Sequence, residues 1–221
     1  MSKLSEENEK NEKTTDDNDI QSFKTFDQMG LKEPLLRGIY SMGWEKPSPI
    51  QEKAIVPVVK GKDSIVQAQS GTGKTGTYAT AILQIIDCEK ECTQAIVLSP
   101  TRELASQSAK NIVKLSQYFK KLKISECVGG RRMKNLKDLK KSQLIMGTPG
   151  RVHDMLQKKL ISTDDLKIFV LDEADDLLKA GFKDQIIDIF RFIRKESQVA
   201  IYSATMPEEI LKVTENFMDN P

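Results

Sequence analysis

A glycine-rich segment that could bind phosphate lies at residues 68–75, where the sequence reads Ala-Gln-Ser-Gly-Thr-Gly-Lys-Thr. Glycines allow a backbone to wrap closely around a phosphate, so that its N–H groups point at the oxygens. In such a phosphate-binding loop we predict that the Lys74 ammonium contacts the β- and γ-phosphates of a nucleotide and that the Thr75 hydroxyl binds Mg²⁺. The loop also contributes Ser70, Gly71, Thr72 and Gly73. Because Ala68 stands where the general motif has glycine, a plain glycine-rich turn is the alternative.

Two acidic residues, Asp172 and Glu173, directly follow the apolar run at residues 168–171. A strand that ends in two acids fits nucleotide hydrolysis, because it can fix Asp172 beside a magnesium ion, partly through water, while Glu173 orients the attacking water. Carboxylates also favour the positive end of a helix, which is the structural alternative. Since the same chain carries a phosphate-binding loop, we predict that Lys74, Asp172 and Glu173 are catalytic.

Alternating strands and helices are predicted to position these residues. Short runs rich in Val and Ile predict strands at 64–67, 95–98, 143–146, 168–171 and 199–202, with a sixth candidate at 123–128. Helical spacing predicts helices at 32–41, 49–59, 77–86, 104–115, 182–193 and 210–217. This alternation predicts an α/β fold with a mainly parallel sheet and helices on both faces. Ligands of such sheets bind at the carboxyl ends of the strands, where both motifs fall.

Composition excludes several classes of protein. The chain has 221 residues, of which 38% are hydrophobic, so it can bury a real core. Its longest uncharged stretch, residues 75–86, is too short to span a bilayer, and the start of the chain lacks the apolar segment of a secretory signal. We therefore expect a cytoplasmic or nuclear protein that is neither membrane-bound nor secreted. Its three cysteines form no CxxC pair and predict structural thiols, not a zinc site.

Charge is distributed unevenly along the chain, although the net charge is only +2. Residues 1–20 hold three lysines against seven acidic residues, so we expect a disordered acidic tail over 1–22 and one domain over 23–221. Residues 110–141, called the basic segment below, hold eleven basic residues and two acidic ones. The basic segment suggests a polyanionic partner, with a solvated helical face as the alternative.

The residues Asp172-Glu173-Ala174-Asp175 form the motif that names the DEAD-box RNA helicases, and the chain resembles this family from about Phe26 to Pro221. The resemblance implies a RecA-like P-loop NTPase domain with ATP and Mg²⁺ as cofactors. Residues 35–40 and 203–207 resemble the initiation-factor-4A branch of the family. Residues 43–51 resemble its adenine-reading Q motif, which implies that Gln51 hydrogen-bonds the adenine edge and that Trp44 stacks on the ring.

The chemistry implied for Gln51 is sensible, because an amide can pair with N6 and N7 of adenine at once. The same residues also suit a helix start, with Ser48 as N-cap, Pro49 in the first turn and Gln51 as the capping-box partner. The two interpretations are compatible.

Three further segments resemble the RNA-contacting motifs of the family. Their residues are Pro100, Thr101, Arg102, Gly129, Gly130, Thr148, Gly150 and Arg151. A helix that begins near Thr148 could offer free N–H groups to a phosphate, although ordinary helix caps would have the same sequence. The basic segment, which contains the glycine pair, favours an RNA path. Asp175, Ser203 and Thr205 resemble the residues that couple ATP state to RNA binding, with a turn before a helix as the alternative.

The resemblance implies the ATP- and RNA-binding amino-terminal domain of an ATP-dependent RNA helicase, which would couple ATP hydrolysis to RNA unwinding or to remodelling of RNA–protein complexes. We expect largely sequence-independent contact with the RNA backbone, helicase regulatory proteins as partners, and a monomer. No counterpart of the second RecA-like domain is recognised, so we expect poor turnover without an arginine finger from that side. A short non-enzymatic protein that binds RNA or a helicase partner is the main alternative, and an unrelated P-loop kinase is a weaker one.

Overall fold

A computed structural model describes residues 21–130 and 136–221 of the chain. Residues 1–20 of the predicted acidic tail and residues 131–135 of the basic segment lie outside this range. The strands of the described part are β1 (Ser64–Gln67), β2 (Ala95–Leu98), β3 (Ile124–Cys127), β4 (Leu144–Gly147), β5 (Ile168–Asp172) and β6 (Gln198–Ser203). They form one sheet in the order β1-β6-β5-β2-β4-β3, and every neighbouring pair is parallel. The predicted parallel sheet is therefore confirmed.

Helices occupy most of the chain between these strands. They are α1 (Glu33–Ser41), α2 (Pro49–Val59), α3 (Lys74–Ile85), α4 (Arg102–Leu115), α5 (Leu136–Lys140), α6 (Pro149–Gln157), α7 (Ala174–Lys179), α8 (Lys183–Phe190) and α9 (Glu208–Phe217). Helix α8 ends three residues before its predicted end, because the N–H groups of Phe192 and Ile193 bond to carbonyls three residues back and tighten the chain into a turn. Helix α7 was not predicted, since six residues are too few for a periodic pattern.

Apolar side chains cover both faces of the sheet. On one face, residues such as Val97 and Val170 pack against α1 to α4. On the other, residues such as Ile96 and Phe169 pack against α6 to α9. Because β2, β4, β5 and β6 are buried throughout, they read as continuous apolar runs, which is why their positions were predictable. In the described parts of the chain, no helix is long and apolar enough to cross a membrane.

Parallel pairing brings the predicted functional segments to one edge of the sheet. The phosphate-binding loop follows β1, the segment from Pro100 follows β2, the glycine pair follows β3, Thr148 follows β4, and Asp172 ends β5. Since all strands run the same way, these segments all emerge at the carboxyl edge. The fold thus positions residues that are far apart in sequence around one surface.

Candidate active site

An ion pair joins the phosphate-binding loop to the acidic motif. Lys74 is the first residue of α3 and is only 4% exposed. Its Nζ donates to Glu173 Oε2 at 2.9 Å and to the carbonyl of Ala68 at 2.9 Å. The loop reaches this geometry through Gly73, whose φ of +107° lies in the left-handed region and whose Cβ, if added, would lie 2.8 Å from the Ser48 hydroxyl. The structure therefore brings together Lys74 and Glu173, two of the residues that the sequence predicts to be catalytic.

Asp172 lies beside this pair, at the end of β5, and is 5% exposed. Its Oδ2 accepts a hydrogen bond of 2.9 Å from the hydroxyl of Tyr78, which is fully buried. Burial raises the pKa of Asp172 to about 6; the Glu173 charge acts in the same direction, while the Tyr78 hydrogen bond and the Lys74 charge oppose it. A cation with oxygen ligands would relieve this desolvated carboxylate.

Tyr78 is a site residue that the sequence analysis missed. Burial and the charge of Asp172 raise the pKa of Tyr78 well above its ordinary value, while hydrogen bonding from Ser108 and Thr75 acts in the opposite direction. Its position four residues after Lys74 was the available signal, because residues four apart share a helix face.

A cavity of about 380 Å³ lies between the phosphate-binding loop, Trp44 and α4. Of the predicted nucleotide and catalytic residues, those that line it are Trp44, Ser70, Gly71, Gly73, Lys74, Thr75, Asp172 and Glu173. Thr72 does not line it, and its hydroxyl donates to the carbonyl of Gln69 at 2.7 Å. The cavity also has a wall that was not predicted, formed by Leu104, Gln107, Ser108 and Asn111 of α4. Their spacing of three, one and three residues puts them on one face of that helix, which was the missed signal.

Gln51 is not among the residues that line this cavity. Its Oε1 accepts a hydrogen bond from the backbone N–H of Ser48 at 2.9 Å, and its Nε2 donates to the carbonyl of Gly73 at 3.4 Å. The helix-capping interpretation of Gln51 is thus confirmed. Each amide atom keeps one further hydrogen or lone pair, so the amide could still bind an adenine edge. A Cβ on Gly76 would lie 2.5 Å from Gln51 Nε2 and 2.8 Å from the Trp44 ring. Both side chains therefore pack closely against the first turn of α3.

Most of the residues predicted to bind RNA line a second cavity at the same edge of the sheet. Its lining includes Pro100, Thr101, Arg102, Gly129, Thr148, Gly150, Arg151 and also Phe182, which was not predicted. The guanidinium of Arg102 packs on the glycine pair, since a Cβ on Gly130 would lie 2.3 Å from Arg102 Nη1. Thr101 caps α4 by accepting from the N–H of Leu104 at 3.2 Å, which confirms the ordinary capping role.

Arg151 forms an ion pair with an acidic neighbour on α6. Its Nη1 lies 3.0 Å from Asp154 Oδ2, and Lys158 contacts the other oxygen of the same carboxylate. Arg151 therefore brings less net positive charge to the second cavity than its side chain alone suggests.

The three predicted coupling residues form one hydrogen-bonded cluster. The Thr205 hydroxyl donates to Asp175 Oδ2 at 2.8 Å, and the Ser203 hydroxyl accepts from the N–H of Asp175 at 3.2 Å and donates to the Thr205 carbonyl at 2.7 Å. Burial acts to raise the pKa of Asp175, but the hydrogen bonds from Thr205 and Ser203 and the Lys179 charge outweigh it and lower the pKa. The first turn of α7 and the end of β6 are therefore tied together through a buried carboxylate.

Comparisons with known proteins agree with this arrangement. A family model described as DEAD/DEAH box helicase matches residues 48–213. The chain is 49% identical over 203 residues to the ATP-dependent RNA helicase eIF4A of Neurospora crassa, covering 91% of this chain and 51% of that protein. It is 50% identical over 200 residues to the eIF4A of Mycosarcoma maydis, covering 89% and 48%. The chain thus spans about half the length of the curated relatives it matches.

Solved structures are similar over the same region. A DEAD box protein from Methanococcus jannaschii matches with a TM-score of 0.86 at 34% identity, over 90% of this chain and 55% of that chain. Dbp5 of S. cerevisiae bound to RNA and ADP BeF3 matches with a TM-score of 0.82 at 37% identity, over 90% and 51%. A Dbp5 variant bound to a variant of Gle1 and to IP6 matches with a TM-score of 0.84 at 38% identity, over 90% and 51%.

Proposed function

The chain belongs to the DEAD/DEAH box helicase family, and from this premise we propose that it is the ATP- and RNA-binding amino-terminal domain of an ATP-dependent RNA helicase. The observation that carries the proposal is the 2.9 Å contact between Lys74 and Glu173, which are 99 residues apart in sequence. A phosphate-binding lysine and a carboxylate that can orient water meet on the wall of one cavity. This is the pair that ATP hydrolysis requires.

ATP would occupy the cavity beside the phosphate-binding loop. Lys74 contacts the phosphates there, and Trp44 and Gln51 hold the adenine. Glu173, released from Lys74, orients the water that attacks the terminal phosphate. Because Glu173 acts on this water, its contribution is to turnover and not to binding.

Mg²⁺ fits the donor set at this site. The Thr75 hydroxyl and the Asp172 carboxylate line the same cavity and are hard oxygen ligands, the latter partly through water. Within residues 21–130 and 136–221, no three His, Cys, Asp or Glu side chains form a group that could hold a metal. The remaining ligands would therefore be phosphate oxygens and waters, which is how Mg²⁺ is commonly bound. When bound, the ion would neutralise charge on the phosphates.

RNA would cross the second cavity, where Arg102 and the N-terminal end of α6 face its backbone phosphates. Asp175 in the first turn of α7, Ser203 at the end of β6 and Thr205 form one hydrogen-bonded cluster, and this cluster would couple the two sites. We also propose helicase regulatory proteins as partners, since a related Dbp5 variant is bound to a variant of Gle1.

Titration calorimetry on the 221-residue chain tests this function. The unmodified chain should bind Mg-ATP, and Lys74→Ala should weaken binding at least about 100-fold because it removes a charge-assisted phosphate contact. Lys195→Ala is the control, since Lys195 is exposed and precedes β6 at the opposite edge of the sheet. Failure of the unmodified chain to bind Mg-ATP would overturn the proposal. RNA binding without nucleotide binding would favour the non-enzymatic alternative.

A further inference from the structure

We propose that Tyr78 is a positioning residue for Asp172. The Tyr78 hydroxyl holds one oxygen of the Asp172 carboxylate and thereby fixes the orientation in which the other oxygen faces the metal ion of a bound Mg-nucleotide. This inference rests on the proposed function, because it assigns a task to the same site. It adds a residue that neither the phosphate-binding loop nor the acidic motif contains.

Tyr78 connects two elements that must keep a fixed spacing. It lies on α3, three residues after Thr75 and four after Lys74, so all three share one side of the helix. Its hydroxyl donates to Asp172 Oδ2 at 2.9 Å across to the end of β5. The phenol is thus a direct link between the helix that carries one predicted metal ligand and the strand that carries the other.

Burial makes the hydrogen bond between Tyr78 and Asp172 difficult for solvent to replace. Tyr78 is fully buried and Asp172 is 5% exposed, so little solvent reaches the carboxylate to replace a lost donor. A hydrogen bond from a neutral donor to a carboxylate is among the stronger ones in proteins. A carboxylate held on one oxygen by such a bond has fewer accessible orientations, and the Tyr78 bond engages Oδ2 and not Oδ1.

A second tyrosine offers a matched comparison. Tyr202 lies directly opposite Asp172 in the register of β5 and β6, and its ring meets the ring of Tyr78 edge to face, with 5.3 Å between centroids. Tyr202 is also fully buried, but its hydroxyl makes no hydrogen bond to any residue that the structure describes. The two phenols therefore share burial and packing and differ in whether the hydroxyl holds Asp172.

The experiment compares Tyr78→Phe and Tyr202→Phe in the 221-residue chain by calorimetric titration of ATP, once with Mg²⁺ and once with EDTA. Mg²⁺ should increase the ATP affinity of the unmodified chain, and in Tyr78→Phe this increase should be about tenfold smaller. A loss of this size is usual when a group that hydrogen-bonds a metal ligand is removed. Its affinity for ATP in EDTA should stay within twofold of the unmodified chain. Tyr202→Phe should leave both affinities unchanged, and thermal unfolding checks that both variants are folded.

The outcomes separate this inference from the proposed function. If the unmodified chain fails to bind Mg-ATP, the proposed function fails first. If it binds and the two variants have the same gain from Mg²⁺, Tyr78 does not position Asp172, while the proposed function stands. A loss of affinity in Tyr78→Phe that is equal with Mg²⁺ and with EDTA would assign the hydroxyl to packing of α3 and would also overturn the inference.

Discussion

Lys74 and Glu173 neutralise each other inside the cavity, with Lys74 Nζ 2.9 Å from Glu173 Oε2 and side chains that are 4% and 20% exposed. The lysine that we predict to hold phosphate thus holds a protein carboxylate in this structure. Glu173 reaches it from a left-handed backbone conformation, with φ of +51°, which is strained for a residue with a side chain. A bound nucleotide would have to displace Glu173 from Lys74.

Glu173→Gln should therefore bind Mg-ATP at least as tightly as the unmodified chain. The change removes the competing charge, and a partly exposed ion pair of up to about 1 kcal/mol corresponds to affinity up to about fivefold higher. Turnover should be lost, because the amide cannot accept a proton from the attacking water. Calorimetry on this chain measures binding, and ATPase of a chimera that continues it with the remaining half of a curated eIF4A measures turnover.

Glu215→Gln is the control for this pair of measurements, since Glu215 is exposed on α9. Loss of Mg-ATP binding in Glu173→Gln would make Glu173 a metal-site or structural residue. Normal turnover in the chimera would remove it from catalysis.

Two substitutions of Gln51 separate adenine recognition from helix capping. Glutamate can still accept the hydrogen bond from Ser48 N–H but cannot donate one, so Gln51→Glu should keep α2 capped and bind ATP about tenfold more weakly. Gln51→Ala should lose ATP affinity and also about 1 kcal/mol of the free energy of unfolding. Calorimetry with ATP and GTP, together with urea unfolding, measures both effects. An unmodified chain that binds GTP as tightly as ATP would leave Gln51 with its capping role alone.

Local sequence signals predict the parts of the candidate site that one segment can specify. The loop before Lys74 and the acids at the end of β5 are recognisable because glycine, lysine and carboxylate spacing is dictated by backbone geometry around phosphate. Strands β2 and β5 were predictable because burial on both faces leaves an uninterrupted apolar run.

Contacts between distant segments could not be predicted in the same way. In the sequence, Tyr78 looks like a core residue of α3. Its polar role depends on the contact between its hydroxyl and Asp172, which lies 94 residues later in the chain. Phe182 and the polar face of α4 acquire their positions from packing against other elements. The ion pair between Lys74 and Glu173 likewise depends on how β1 and β5 are arranged in the sheet.

Gly130→Ala should weaken RNA binding by displacing Arg102. A Cβ at this position would lie 2.3 Å from Arg102 Nη1, so the guanidinium has to move off the glycine pair. Fluorescence anisotropy with a single-stranded RNA should give an affinity several-fold lower, and a slope of log affinity against log salt reduced by about 0.7 for one lost phosphate contact.

Gly61→Ala is the matched control for this change. Gly61 has φ of +79° against +76° for Gly130, but apart from its chain neighbours no heavy atom of the described residues lies within 4 Å of its added Cβ. Both variants should lose similar stability through backbone strain, while only Gly130→Ala changes RNA affinity. Equal RNA affinity in the two variants, or a strong dependence on base sequence with little on salt, would contradict a backbone path beside Arg102.

Thr205→Val should destabilise the fold in a pH-dependent manner, because it removes the donor to Asp175 Oδ2 and leaves a buried carboxylate poorly satisfied. The expected loss at pH 7 is about 1–3 kcal/mol of the free energy of unfolding. The pKa of Asp175 is lowered in the folded chain, so its ionised form stabilises the fold above the ordinary pKa of about 3.9 and this stabilisation is lost as the pH falls below that value. The difference between Thr205→Val and the unmodified chain should therefore shrink as the pH falls below about 4, as measured by urea unfolding. Thr205→Ser keeps the hydroxyl and should behave like the unmodified chain, whereas a destabilisation by valine that is the same at pH 7 and pH 3 would mean that Thr205 acts by packing and not through Asp175.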